Sequence, residues 1–105
     1  MRRGLTIIVS GADPNRLRSA VGIAAAEAAL GGRVRLFFDA AAAPLLPMLP
    51  VALSDMLEAA IELGARVSVC QTGLAEQGLT LEPRFEASGL VALMTGLGED
   101  RLLLA

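Results

Sequence analysis

The sequence predicts an α/β fold with a parallel sheet. Short apolar runs rich in β-branched residues alternate with segments of helical periodicity along the whole chain. The runs are apolar at nearly every position, as befits strands covered on both faces. Right-handed crossovers between such strands would put helices on both sides of the sheet. The 105 residues suit a single domain spanning 1–105, with no linker or internal repeat.

The elements follow in order. Leu5-Thr6-Ile7-Ile8-Val9 reads as a first strand and is followed by the loop Ser10-Gly11-Ala12-Asp13. Asp13 before Pro14 is a helix-start signal, because Asp caps free amides and Pro suits the first helical position. That helix should run to about Leu30 and stop at Gly31-Gly32, with Leu17, Ala20, Val21, Ala24 and Ala28 on one face. Val34-Arg35-Leu36-Phe37-Phe38 is the second strand, and Arg35 within it suggests a place near the sheet edge.

In residues 40–50, prolines at 44, 47 and 50 discourage a regular helix, so the segment reads as an apolar loop with at most one helical turn. Ser54 is the expected cap of a helix over 55–63, with Asp55, Glu58 and Glu62 on one face and Leu57, Ala60 and Ile61 on the other. Arg66-Val67-Ser68-Val69-Cys70 is a third strand, followed by a short helix from Gln71 to Gln77 closed by Gly78. Phe85-Glu86-Ala87 is a candidate short strand. Ser88-Gly89 open a last helix through Leu97, and residues 101–105 form a terminal strand.

Composition narrows the chemistry. The chain has no His and no Lys, and all nine basic residues are Arg. A Ser-His-Asp triad, a Cys-His pair, a His-ligated zinc, a P-loop lysine and a Schiff base are therefore excluded within it. A single Cys forms neither an internal disulfide nor a CxxC pair. No metal site and no cofactor motif is legible. The net charge of −2, the scattered Arg and the lack of Trp and Tyr argue against nucleic acid.

Hydrophobic residues make up 54% of the chain, yet the longest uncharged stretch falls short of the roughly 20 residues of a membrane span and carries three prolines. The start Met1-Arg2-Arg3-Gly4 is basic, but the apolar run after it is too short for a signal peptide. The sequence thus reads as a cytoplasmic protein, with oligomerisation as the outlet for surplus apolar surface. Residues 40–53 have three readings: a subunit contact, a lid, or a loop tucked into its own core. The first two are favoured, since exposed apolar patches mark interaction sites.

Ligands of open parallel sheets bind beyond the carboxyl ends of the strands, near a switch in strand order. Ser10, Asp39 and Cys70 each end a strand and should share that rim. Cys70 is the only thiol and precedes the turn Gln71-Thr72-Gly73, where amides at a helix start would favour a thiolate and Gly73 would permit close backbone approach. The functional reading is a nucleophilic or sulfur-carrying cysteine; the plain alternative is a buried, inert one. Ser10-Gly11 lacks the full phosphate-loop patterns, and Asp39 either orients a ligand, pairs with an Arg or starts a loop. The candidate pocket is therefore Ser10, Gly11, Asp39, Gln71, Thr72 and Gly73 around Cys70.

Leu5–Val9 followed by Ser10-Gly11, then Phe37-Phe38-Asp39, then Gly64-Ala65-Arg66-Val67-Ser68-Val69-Cys70, and Gly78 eight residues later, together resemble the DsrE/DsrF-like family. The likeness extends through Gly89-Leu90 and the apolar last strand, across almost the whole chain. It implies a three-layer α/β/α sandwich with five parallel strands, and trimers, tetramers or hexamers. It also implies a cysteine at position 70 that carries a persulfide between a sulfur donor and an acceptor protein. The Ala/Pro/Leu-rich segment after the second strand departs from the longer, more aromatic stretch of related proteins. A non-catalytic oligomeric binding module with a structural Cys70 is the competing reading. A rhodanese-like enzyme is a weaker third, because no Arg follows Cys70 before Arg84.

Overall fold

The computed structural model describes residues 3–105, so the basic start Met1-Arg2 lies outside it. Its first strand is β1 (Leu5–Val9), buried at all five positions. The other strands are β2 (Val34–Phe38), β3 (Arg66–Cys70), β4 (Glu86–Ser88) and β5 (Arg101–Leu104). They form one sheet in the order β4-β3-β2-β1-β5, parallel at every pairing. The fold is therefore α/β with a five-stranded parallel sheet, flanked by helices as a three-layer sandwich.

The order explains the layers. The chain steps from β1 to β4 in one direction, carrying α1 (Pro14–Ala29), α2 (Val51–Glu62) and α3 (Gln71–Gln77) on its crossovers. It then returns past the whole sheet to β5, carrying α4 (Leu90–Thr95). Crossovers of one hand in opposite directions cover opposite faces. Alternation along each strand sorts the side chains accordingly. Ile7, Val9, Leu36, Phe38, Val67 and Val69 join Leu17, Val21, Leu57 and Leu74 in the main core. Ile8 and Phe37 meet Leu93 of α4 in a small second cluster on the other face, with Cys70 packed against it.

Local chemistry fixes the helices. Asp13 caps α1, its Oδ1 accepting from the Asn15 amide at 2.9 Å, and Pro14 opens the helix. The predicted α1 face is buried throughout: Leu17, Ala20, Val21, Ala24 and Ala28. The acidic side of α2 is exposed, while Leu57 and Ala60 are buried and Ile61 packs against the core.

Four expectations need correction. Arg35 is not near an edge: β2 lies in the middle of the sheet. It is tolerated there because its side chain reaches Asp100 and the Gly96 carbonyl. Ser54 does not cap α2, which starts three residues earlier with Pro50 as its N-cap; its Oγ instead accepts from Arg84 Nη2 at 2.9 Å. Residues 43–48 form a 3-10 helix, longer than a single turn. Spacing three is the period of that helix, so Pro44 and Pro47 share its outer side while Leu45 and Leu46 turn inward. Lastly, β4 is shifted one residue to Glu86–Ser88, and α4 stops at Thr95.

Residues 40–53 mostly adopt the reading that the sequence disfavours. Ala42, Ala43, Leu45, Leu46 and Leu53 are buried in the chain's own core. Met48 and Val51 remain outside, 67% and 77% exposed.

Candidate functional site

Parallel pairing carries Ser10, Asp39 and Cys70 to one rim of the sheet. Val9 is the register partner of Phe38, and Phe38 of Val69, so the three residues lie at or just beyond three adjacent strand ends. Each of them is half-buried. The change of direction in strand order falls between β1 and β5. Cys70 ends β3, two strands away from that switch; Ser10 is beside it, and its amide donates to the Ala105 carbonyl at 3.4 Å.

Asp39 is an organiser of loops. Its Oδ1 accepts from the Ala42 amide at 2.9 Å and from the Gly11 amide at 3.3 Å. One carboxylate oxygen thereby ties the β1–α1 loop to the entrance of the 3-10 helix. Gly11 is thus drawn to Asp39, with a φ of 88° that an L side chain rarely adopts.

Cys70 is the N-cap residue of α3, yet its side chain makes no capping hydrogen bond. It packs against the cluster of Ile8, Phe37 and Leu93 under α4. Gln71 and Thr72 are exposed on the first turn of α3, and Gly73 is buried. A Cβ on Gly73 would lie 2.6 Å from the Ala40 Cα, closer than real Cβ contacts allow. The close approach foreseen at Gly73 is therefore to the chain's own backbone. It brings the β2 exit against α3 and so braces the Cys70 loop.

The structure adds groups that local sequence signals do not connect. Asp100 is buried and holds three donors: Thr6 Oγ1 at 3.0 Å, Arg33 Nη2 at 2.6 Å and Arg35 Nη2 at 3.4 Å. Arg101 donates to buried Glu27 at 3.0 Å. Arg84 bridges Glu82, Glu58 and Ser54, clamping the segment before β4 to α2. A polar cavity of about 150 Å³ opens under α4, with Arg35, Arg66, Ser68, Glu86 and Ser88 in its wall. Its sequence signal was the alternation Arg66-x-Ser68-x-Cys70 and Glu86-x-Ser88, which marks a polar sheet face.

A larger apolar cavity of about 270 Å³ lies on the other side, between Leu46, Leu74, Leu79 and Phe85. Neither cavity is lined by Cys70. Among the described residues, no group of three or more Cys, Asp or Glu side chains is placed to hold a metal. No described helix is long and apolar enough to cross a membrane. The chain matches no protein-family model and no curated protein.

Proposed function

We propose that this chain is a cytoplasmic sulfur carrier of the DsrE/DsrF kind, holding a persulfide on Cys70. The observation that supports the reading is the position of the only thiol. Cys70 lies half-buried at the carboxyl rim of a parallel sheet, between a loop fixed by Asp39 and a helix braced by Gly73. Ligand chemistry in such sheets concentrates on that rim. Partial burial suits a persulfide, which must be reached by a partner protein yet kept from indiscriminate thiols.

The transfer balances without a cofactor. The Cys70 thiolate attacks the outer sulfur of a donor persulfide, forming a new S–S bond as the donor's S–S bond breaks and a donor thiolate leaves. A thiolate on the acceptor then attacks the terminal sulfur, and Cys70 departs as a thiolate. No net oxidation occurs. Ser10, Gly11, Asp39, Gln71 and Thr72 shape the approach to the thiol. On this reading the protein is a homo-oligomer, a trimer, tetramer or hexamer, and its partners are a sulfur donor and an acceptor protein.

Mass spectrometry after exposure to a persulfide donor tests the proposal. The native chain is expected to gain one sulfur on the peptide carrying Cys70, and Cys70→Ser none. If the native protein gains nothing while a control thiol reacts, the reading is wrong.

A second reading is favoured by the packing of Cys70 on Ile8, Phe37 and Leu93. Here the thiol only fills space, and the rim belongs to a non-catalytic binding module. Thiol labelling that is slow in the native protein and fast after denaturation selects this reading.

A further inference from the structure

The two faces of the sheet are covered unequally. α1, α2 and α3 pack on one face, while among the described residues α4 is the helix on the other. Parallel sheets occur almost only with both faces covered. Five strands spaced by about 4.8 Å make a sheet roughly 19 Å wide, and one helix spans about 10 Å of it. α4 lies over Ile8 of β1 and Phe37 of β2, with Cys70 of β3 against the same cluster. β5 is left without a helix above it. Leu102 and Leu104 share the face of their register partners Thr6 and Ile8, and they are 49% and 68% exposed.

α4 shows the converse shortfall. Its sequence, Leu90-Val91-Ala92-Leu93-Met94-Thr95, is apolar at five of six positions, and a helix apolar all round belongs inside a core. Yet Leu93 alone among these six is buried. Ala92 lines the small cavity over β3 and β4. Leu90 and Met94 stand about 200° round the helix from Ala92, so they lean toward β1 and β5. Val91 stands as far round from Leu93, points away from the sheet and is 83% exposed.

A strand that lacks a helix and a helix that lacks a cover thus lie side by side on one face. We propose that this face is the contact between two copies of the chain, related by a two-fold axis. α4 of each copy lies against β5 of the other, next to that copy's own α4. A two-fold contact needs a patch complementary to itself, and a protruding helix beside an uncovered strand is one. The area suffices. At their exposures, Leu90, Val91, Met94, Leu102 and Leu104 offer roughly 500 Å² per copy, and pairing removes about 1,000 Å², the size at which specific interfaces begin. The contact uses the face of β5 and leaves its outer edge free. It names a surface for the homo-oligomer proposed above and rests on that part of the reading alone; sulfur gain at Cys70 is measured separately and stands or falls on its own.

Sedimentation equilibrium of charge variants is the test. Val91→Glu and Leu104→Arg each put an unpaired charge into the contact, so each chain alone should associate at least about tenfold more weakly than the native one. Mixed in equal amounts, the two should recover most of the native association, because the introduced carboxylate of one chain then faces the introduced guanidinium of the other. If either variant loses the native circular dichroism, Val91→Cys and Leu104→Cys replace the pair, each on a Cys70→Ser background. A short thiol cross-linker should then join the mixed chains far more than either alone. The proposal is overturned if the native chain sediments as a monomer, which leaves the face to a different partner, or if Val91→Glu associates like the native chain. It is equally overturned if the charged mixture associates no better than its components, or if the cysteine mixture cross-links no more than either chain alone.

Discussion

At the residue scale, the strongest single commitment is Asp100. Its carboxylate is 1% exposed and receives three donors, one of them from fully buried Thr6. Removing it strands the buried Thr6 hydroxyl and the mostly buried Arg35, while Arg33, at 65% exposure, turns to water. Asp100→Ala is therefore expected to cost roughly 3–5 kcal/mol in urea unfolding. Thr6→Val keeps the shape and loses one hydrogen bond to a charged group, so it should cost less, about 1.5–3 kcal/mol. The reverse order would mean that the cluster is not what holds β5 to β1. Gly73→Ala is a steric case: the new methyl meets the Ala40 backbone, and about 1–3 kcal/mol should be lost by the same assay. In the sequence, Gly73 was conspicuous because it sits in a turn after a strand. Asp100 was not, since its partners Thr6 and Arg33 are 94 and 67 positions away. Long-range ion pairs leave no local pattern.

At the element scale, α1 offers a matched pair of tests. Its cap is explicit, so Asp13→Ala should destabilise by about 0.5–2 kcal/mol. Gly22 lies mid-helix, and a Cβ there meets nothing within 4 Å. Gly22→Ala should then raise stability by roughly 0.5–1 kcal/mol, because the helix gains propensity without a clash. Thermal unfolding of the two variants should shift in opposite directions. The start of α1 was legible because Asp13-Pro14 acts through neighbouring residues. Its counterpart in α2 was not: Ser54 has a capping side chain, but Pro50 already provides an extended entry and the 3-10 helix delivers the chain there. The strands were legible from their apolar runs, and with them the rim that carries Ser10, Asp39 and Cys70. Strand order was not, and it decides that Arg35 is central and that, among the described residues, α4 is the helix that covers the second face. The polar cavity depends on that order, since it needs β2, β3 and β4 side by side.

At the scale of the whole molecule, the apolar surplus divides unequally between the two faces. The side of α1, α2 and α3 absorbs most of it, including much of residues 40–53. The α4 side does not: Leu90, Val91 and Met94 of α4 and Leu102 and Leu104 of β5 are all exposed. β5 is also an edge strand, and the amides of Arg101 and Ala105 donate to β1. Alternation therefore turns the Leu102 and Leu104 amides outward. Beyond Arg101 this edge carries neither charge nor Pro, and apolar, unpaired edge strands recruit further strands. Self-association is accordingly expected to run through β5, antiparallel about Leu103, so that Leu102 of one copy lies opposite Leu104 of the next. Leu104→Glu should weaken association by bringing charge into an apolar strand pair. Adding Leu102→Arg to that variant should restore it, because the introduced arginine and glutamate then face each other across the pair. Sedimentation equilibrium distinguishes the outcomes. A double variant no better associated than Leu104→Glu alone would rule out the antiparallel pairing, and a Leu104→Glu variant that associates like the native chain would remove β5 from the interface.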